Sequence, residues 1–473
     1  MMMKQLLFVL LSYLIIVISI DNYDSSFFDQ FHREHDSHSI TNEFQLLAKA
    51  RISLDSSLAI GKIAEITSIS PTIINSSDVI TVKYKTNRPN IYDWIGAYSP
   101  IVNSSTINST FPVKYGFCYN MASENYLKNG TGVLYFNMTN LRADIQFYYF
   151  HGFNGTMPDD DPDYTASSYV LINTSSTIVS FQDKNQPLRQ RITATGNYDQ
   201  YVLSWSSYNS TKPLLRWGLV SGVYTNLVLA NTSTINQNEV CGFPANSTGW
   251  RDFGLIHSAT LKGVSKYPKG TKIYYTFGDN ATDNFSPEFI FNTPAPPGDH
   301  SNPTVLILYD DLGRGFPSPD NTYTWYNYGS PSINTAMKVS AEVKAGGVDA
   351  IYHGGDISYA VGFESVWDFF LDMISPMAGS VLYFTTVGNH ESDWPGSASY
   401  FQGTDSGGEC GVVATTVLPQ PSPAQRNAPW WSYNVGMVHM VGMSTEHSFL
   451  IGSEQYNWLA NDLKSVNRTL TPW

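Results

Sequence analysis

Hydrophobic and polar residues alternate in short runs, separated by turn residues, over much of the first 300 positions. Two of the clearest runs in the stretch 66–178 are residues 79–84 and 132–136. A period of two is typical of strands with one buried face, and helical periodicity is scarce here. The pattern predicts an antiparallel β-sandwich module over residues 66–178.

A second group of alternating runs covers residues 186–294 and includes 200–205 and 272–277. It predicts a second β-sandwich, of the fibronectin-like kind. The Pro-rich stretch 293–298 follows and predicts a stiff linker. Residues 21–65, before the first module, are polar and weakly patterned, which indicates a partly ordered leader.

The pattern changes after the linker, from alternation to continuous apolar runs between helical stretches. Residues 305–308 form such a run, which is typical of a strand buried on both faces. The order that follows is helix, strand, helix, strand, at 332–345, 349–353, 364–374 and 381–385. This order predicts βαβ units with mostly parallel strands, so residues 301–473 are expected to form an α/β domain.

The N-terminus has the pattern of a secretory signal. Lys4 precedes an almost unbroken apolar run at 6–20, shorter than the roughly 20 residues of a membrane-spanning helix. We therefore expect residues 1–20 to be a signal peptide, with an uncleaved signal anchor as the alternative. Thirteen Asn-x-Ser/Thr glycosylation acceptors agree with secretion: Asn75, Asn103, Asn108, Asn129, Asn137, Asn154, Asn173, Asn209, Asn231, Asn246, Asn280, Asn284 and Asn467.

The amino-acid composition argues against several further classes of protein. With 42% apolar and 14% charged residues in 473, the chain is not mainly disordered. Its 27 Lys and Arg against 40 Asp and Glu give a net charge of −13, which argues against nucleic-acid binding. The cysteines Cys118, Cys241 and Cys410 are too few for a disulfide framework, and their odd number leaves at least one thiol free or paired outside the chain.

Polar residues follow each of the three strands predicted in the α/β domain. The first strand leads into Asp310-Asp311-Leu312-Gly313, the second into Gly354-Gly355-Asp356-Ile357-Ser358-Tyr359, and the third into Gly388-Asn389-His390-Glu391. In parallel sheets ligands bind beyond the carboxyl ends of the strands. Converging there, two carboxylates, a phenol, an amide and an imidazole would suit hard or borderline cations.

Asp-x-Gly, Gly-Asp-x-x-Tyr and Gly-Asn-His-Glu, in this order, resemble the first three motifs of the purple acid phosphatases, within the calcineurin-like metallophosphoesterases. Four further stretches look like the long, plant-type members with two β-modules before the catalytic domain: residues 93–100, 248–252, 403–410 and 445–447. The likeness covers roughly residues 66–473.

The resemblance implies a two-metal hydrolase of phosphate esters. Asp311 and Tyr359 would bind Fe(III), Asp356 would bridge to a divalent Fe, Zn or Mn, and Asn389 would bind that second metal. His390 would act on the phosphate or its leaving oxygen, with a metal-bound hydroxide as nucleophile. The resemblance also implies a phosphate ester or nucleotide-like substrate and an extracellular or lysosome-like acidic compartment, and it is compatible with a homodimer.

Two departures from the family pattern qualify this expectation. The family usually has Gly at the position of Asp310, and a second carboxylate there would either crowd the site or point away. Up to Trp473 the chain has no match to the family's later ligand histidines, since His439 and His447 fit better as hairpin residues.

Three of the seven metal ligands would then be missing, and we expect the 473-residue chain to be essentially inactive. A non-catalytic relative, or a surface or adhesion protein acting through its glycosylated β-sandwiches, are the alternatives.

Overall fold

The structure is a computed structural model that describes residues 63–473 except 104–105, 108–109, 152–168, 315–321 and 325–331, together with three short strands before residue 54. The chain divides into two compact units, Met1–Lys49 and Ala50–Trp473. In the first unit β1 (Leu6–Leu11) pairs antiparallel with β2 (Leu14–Ser19). These strands lie in the run assigned to a signal peptide, which stays a prediction. Most of the polar leader lies outside the described residues.

The first β-module has two facing sheets, and its alternating pattern is confirmed. One sheet has the order β4-β6-β9, and the other contains β8-β7-β10-β11-β3. On β6 the side chains of Ile80, Val82 and Tyr84 point into the core, whereas Lys83 and Lys85 face solvent. The strands are β3 (Ile52–Ser53), β4 (Ala64–Ser70), β5 (Ile73–Ile74), β6 (Asp78–Thr86), β7 (Trp94–Tyr98), β8 (Lys114–Phe117), β9 (Thr131–Met138), β10 (Gln146–His151), β11 (Tyr169–Thr174) and β12 (Ser180–Phe181). A 3₁₀ turn, Met121–Ser123, and the short helix α1 (Tyr126–Asn129) precede β9.

The second β-module is also a sandwich, with sheet orders β13-β14-β18-β17 and β16-β15-β19-β20; β21 pairs with β19. Trp205, Trp217 and Phe277 fill the space between the sheets. The strands are β13 (Leu188–Ala194), β14 (Gln200–Ser207), β15 (Pro213–Gly218), β16 (Asn226–Leu229), β17 (Asn231–Ser233), β18 (Leu255–Lys262), β19 (Lys272–Asp279), β20 (Asn284–Phe285) and β21 (Phe289–Asn292).

The remaining residues form the expected α/β region. Its central sheet has the order β22-β24-β25, and both strand pairs are parallel, which confirms the βαβ prediction. The elements are β22 (Leu306–Tyr309), β23 (Tyr323–Thr324), α2 (Ser332–Ala345), β24 (Ala350–His353), α3 (Ser365–Ala378), β25 (Leu382–Thr385), α4 (Asn389–Ser392), α5 (Val412–Val417), β26 (Trp431–Val435), β27 (Val438–Gly442) and α6 (Glu454–Ser465).

One prediction about this sheet is wrong. The first strand was expected to be buried on both faces, but Leu308 on β22 is 52% exposed. The reason is position: β22 is an edge strand of the described sheet, so one side has no neighbouring strand to cover it. A central strand and an edge strand can have the same apolar run, so the sequence pattern alone does not distinguish the two positions.

The three parts of the second unit share cores and polar contacts. Phe369 of helix α3 packs in the core of the first module, and β23 pairs with β8 of that module. Asp368 of α3 pairs with Arg142 from the first module and with Arg189 from the second, at 2.7 and 3.2 Å. The helix is therefore fixed to both modules by apolar packing and by buried charges. Among the described residues no helix is long and apolar enough to cross a membrane.

Candidate active site

The three parallel strands end at one edge of the sheet, and the residues that follow them meet there. The Tyr359 phenol oxygen lies 2.9 Å from Asp311 Oδ1 and 3.1 Å from Asp356 Oδ2. Its single proton lies between two carboxylates that belong to different strand-end loops. The structure thus brings together three of the four residues that were expected to bind metal.

His390 belongs to the same cluster, and Asn389 lies at its margin. The His390 ring packs on the Tyr359 ring with centroids 4.6 Å apart, and His390 Nε2 lies 3.9 Å from Asp356 Oδ2. The Asn389 side chain donates through Nδ2 to Asp405 Oδ2 at 3.0 Å. Asn389 therefore contacts Asp405, which the sequence did not indicate as a site residue.

The backbone is strained at the three clustered oxygen donors. Asp311, Asp356 and Tyr359 have φ of +54°, +46° and +51°, in the left-handed region that side chains with a Cβ rarely occupy. Each such residue costs of order 1–3 kcal/mol, and this strain is typically found where function requires a particular side-chain direction.

Gly388 permits the close approach of two of these loops. A Cβ at this position would lie 2.0 Å from Asp356 Oδ1 and 2.8 Å from the Asp356 amide nitrogen. No other residue fits without moving Asp356. The glycine of the Gly-Asn-His-Glu motif is therefore required by contact with the carboxylate of the preceding loop.

Glu391 connects the same two loops through hydrogen bonds to their backbone amides, a role that was not predicted from the sequence. Its Oε1 accepts a hydrogen bond from the Ile357 amide at 2.8 Å, and its Oε2 accepts one from the Gly388 amide at 3.0 Å. The residue is 1% exposed. An acidic residue three positions after Gly388 matches a capping-box spacing, the one sequence signal that could have indicated part of this contact.

Carboxyl groups surround the cluster, and burial together with neighbouring carboxylates raises their pKa values. Burial, with Asp356 nearby, raises the pKa of Glu391 well above its usual range. Burial and then the charges of Asp356, Asp393 and Asp405 raise the pKa of Glu446 to about 8. Asp310 lies at the surface of the site, where partial desolvation and the neighbouring Asp311 raise its pKa.

The donors present suit a hard cation in part. Two carboxylates and a phenol around one point are the oxygen ligands that such ions prefer. Among the described residues no group of three or more His, Cys, Asp and Glu side chains gathers to hold a metal. His439, on β27, binds Asn434 and Asp462, and His447, after that strand, contacts Ser444.

The segment 403–410, which the sequence analysis noted only for its likeness to a family, borders the site. Cys410 forms a disulfide with Cys241 of the second module, and Cys118 is free and buried. Glu409 accepts hydrogen bonds from the Gly362 amide and Trp367 Nε1, both at 2.9 Å. These contacts hold the segment against the loop that carries Tyr359. Which two cysteines pair could not be obtained from the sequence.

Two family models match the β-modules. The one described as "Fn3-like domain from Purple Acid Phosphatase" matches residues 67–172, and "Purple acid Phosphatase, N-terminal domain" matches residues 187–293. The fibronectin-like description therefore attaches to the first module, whereas the sequence analysis expected it of the second.

Several similar proteins come from plants. "Probable inactive purple acid phosphatase 1" of Arabidopsis thaliana is 34% identical over 426 residues, 85% of this chain and 66% of that protein. A "Nucleotide pyrophosphatase/phosphodiesterase" of Hordeum vulgare is 31% identical over 198 residues, 41% of this chain and 52% of that protein. The chain thus spans just under two thirds of the first relative.

A solved structure shows the same fold. The purple acid phosphatase isolated from yellow lupin (Lupinus luteus) seeds matches with a TM-score of 0.77 and 30% sequence identity. The match covers 87% of this chain and 72% of the lupin chain. It includes both β-modules and the mixed α/β region that follows them, as the sequence analysis expected.

Proposed function

Because the chain belongs to the purple acid phosphatase family, we propose that its strand-end cluster is a metal centre for the hydrolysis of phosphate esters, with only weak activity expected from four ligand residues. The observation that carries this proposal is the meeting of Asp311, Asp356 and Tyr359 around one phenol oxygen. Strained backbone at all three residues supports it, since such strain is kept where a site needs it.

The residues take the roles that the family pattern assigns. Asp311 and Tyr359 would hold Fe(III), Asp356 would be shared with a divalent Fe, Zn or Mn ion, and Asn389 would be a ligand of that second ion. A bound pair of metal ions supplies Lewis-acid activation and neutralises charge on the phosphate. Four oxygen donors are few for two ions, so we expect weaker metal binding than in a centre with additional ligands.

The chain's own groups orient the ester. His390 lies over the Tyr359 ring with its Nε2 on the side of Asp356. In the imidazolium form, which carries a proton on both ring nitrogens, Nε2 can donate to a phosphate oxygen or protonate a leaving oxygen. Glu391 keeps the two loops together through backbone amides, so the spacing of the donors does not depend on the substrate.

The experiment is hydrolysis of a chromogenic phosphate monoester at acid pH with iron, zinc and manganese supplied. A rate that requires metal and disappears in Asp356→Asn and in His390→Ala would support the proposal. A wild-type rate equal to that of Asp356→Asn would refute hydrolysis by this chain. Thr404→Ala, an exposed neighbour of the site, is the control for mutation as such.

A non-catalytic, phosphatase-like glycoprotein is the second candidate. It is favoured by the names of similar proteins, two of which are "Probable inactive purple acid phosphatase 1" and "Probable inactive purple acid phosphatase 27", both of Arabidopsis thaliana. The same assay separates the two functions. We also propose secretion into an acidic or extracellular compartment, on the basis of the apolar N-terminal run and the glycosylation acceptors.

A further inference from the structure

Asp405 contacts two successive residues of the site, each in a different way. Its carboxylate Oδ2 accepts the hydrogen bond from Asn389 Nδ2 at 3.0 Å. Its backbone carbonyl oxygen lies 3.3 Å from His390 Nδ1. Both acceptors belong to one residue outside the strand-end motifs. It lies sixteen positions after Asn389 and fifteen after His390.

The first contact determines which amide atom of Asn389 faces Asp405, and the second determines which ring nitrogen of neutral His390 carries the proton. A carboxylate only accepts hydrogen bonds, so the amide group that faces it must be the NH₂ of Asn389. The amide oxygen, on the other side of Cγ, is then the atom left to act as a ligand. In the same way a carbonyl only accepts, so the proton of a neutral His390 is on Nδ1, and Nε2 faces Asp356 at 3.9 Å.

Asp405 is itself held firmly on both sides. Gly403, two positions earlier, donates its amide to the Asp393 carboxylate at 3.1 Å. The following Ser406 donates through Oγ to the Asp393 carbonyl oxygen at 2.8 Å. Five residues on, Cys410 is tied to Cys241 by a disulfide. A rigid support is what an orienting residue needs, because a mobile one would lose that orientation.

We propose that Asp405 is a positioning residue: its carboxylate turns the Asn389 amide oxygen toward the metal centre, and its carbonyl sets the His390 tautomer. The proposal rests on the proposed function for the ligand role of Asn389, but the hydrogen bonds themselves do not require a metal. In this role Asp405 acts through its two neighbours, Asn389 and His390.

The two contacts predict different effects of one substitution. Asp405→Ala removes the carboxylate but keeps the carbonyl, so the orientation of Asn389 is lost and the His390 contact remains. Asp405→Asn keeps an acceptor oxygen and can accept the same hydrogen bond from Asn389. A residue that merely stabilised the loop would disturb both neighbours together.

The first test uses the metal-free protein labelled with ¹⁵N-asparagine, with the Asn389 side-chain signal assigned from Asn389→Asp. We expect this NMR signal to shift in Asp405→Ala and to stay near the wild-type position in Asp405→Asn and Thr404→Ala. The His390 ring signals should be unchanged in Asp405→Ala. An unmoved Asn389 signal, or His390 signals that move equally, would overturn the proposal.

The second test is titration with Zn²⁺ or Mn²⁺ alone by calorimetry. Loss of an orienting partner typically weakens metal binding by about 10–100-fold, which we expect for Asp405→Ala and not for Asp405→Asn. Equal affinities in all three proteins would contradict the positioning role. If the wild type binds neither ion, the proposed metal centre fails, whereas the NMR test still decides whether Asp405 orients Asn389.

Discussion

At the scale of single residues, the site is marked by backbone geometry as much as by side chains. Asp311, Asp356 and Tyr359 all occupy the left-handed region, and Gly388 lies where a Cβ would touch Asp356. The carboxylates are therefore held by loops whose shapes allow little adjustment. A change that leaves every polar group in place can still open the cluster if it moves a loop.

Gly388→Ala tests this directly. We expect it to weaken metal binding at least 10-fold, because its Cβ would lie 2.0 Å from Asp356 Oδ1 and must displace that carboxylate. Gly354→Ala is the matched control, since the nearest atom to its Cβ is 3.4 Å away, an ordinary contact distance. Metal titration of both variants gives the comparison, and equal affinities would show that the close approach is not needed.

The clustering of three oxygen donors could be predicted from the sequence, whereas the residues that hold them and their neighbours in place could not. Asp311, Asp356 and Tyr359 could be found because each follows an apolar run and parallel strands end together. The contacts of Asp405 and Glu391 depend on how distant loops pack, and no periodicity in the sequence carries that information. The exposure of Leu308 could not be predicted for the same reason.

At the scale of elements, helix α3 connects the α/β region to both β-modules. Asp368 on this helix is buried and paired with Arg142 and Arg189, one from each module. Arg142 binds it through two nitrogens, at 3.0 and 2.7 Å. The helix also lies one loop after Tyr359, so its position affects the site.

We expect Asp368→Asn to lower the free energy of unfolding by about 3–5 kcal/mol, because the buried Arg142 guanidinium loses its charged partner and Arg189 is left with Asp372. Urea unfolding followed by fluorescence measures the change. Lys85→Met, which breaks a salt bridge whose side chains are 58% and 50% exposed, should cost less than about 1 kcal/mol. A similar small loss for Asp368→Asn would show that the helix is held by apolar packing alone.

At the scale of the whole molecule, buried acids make stability depend on pH. Burial raises the pKa of Glu409 and of Glu446 to about 8, whereas both ionise near 4.5 in an unfolded chain. Between these values the folded protein holds more protons than the unfolded chain, so rising pH favours unfolding. The stability is fully present below the unfolded-state pKa and is lost as pH rises through about 8.

The free energy of unfolding should therefore fall from pH 5 to pH 8, by up to about 1.4 kcal/mol per pH unit for each such carboxyl. Unfolding in urea at several pH values measures the slope, and Glu409→Gln should make it shallower. A stability that rises steadily from pH 5 to pH 8 would contradict the neutral state of these acids.

The glycosylation acceptors divide by accessibility. Eight of those described are exposed, whereas Asn137, Asn173 and Asn284 are half-buried and use their side chains in hydrogen bonds to Ser77, Ile66 and Asp183. We expect glycans on the exposed group and none on these three, because transfer needs an accessible amide. Glycopeptide mass spectrometry of the protein expressed through a secretory pathway measures this, and modification of the three bonded asparagines would contradict the expectation. The exposed sites are Asn75, Asn103, Asn129, Asn209, Asn231, Asn246, Asn280 and Asn467.

The most direct test of the metal centre is the visible spectrum after reconstitution with Fe(III). A phenolate ligand gives ferric iron a charge-transfer band, and Tyr359 lies between the two carboxylates that would share the ion. We predict a visible band in the wild-type protein that is absent in Tyr359→Phe, with both proteins equally folded by circular dichroism. A wild-type protein that stays colourless with iron, or a Tyr359→Phe variant that keeps the band, would contradict the account.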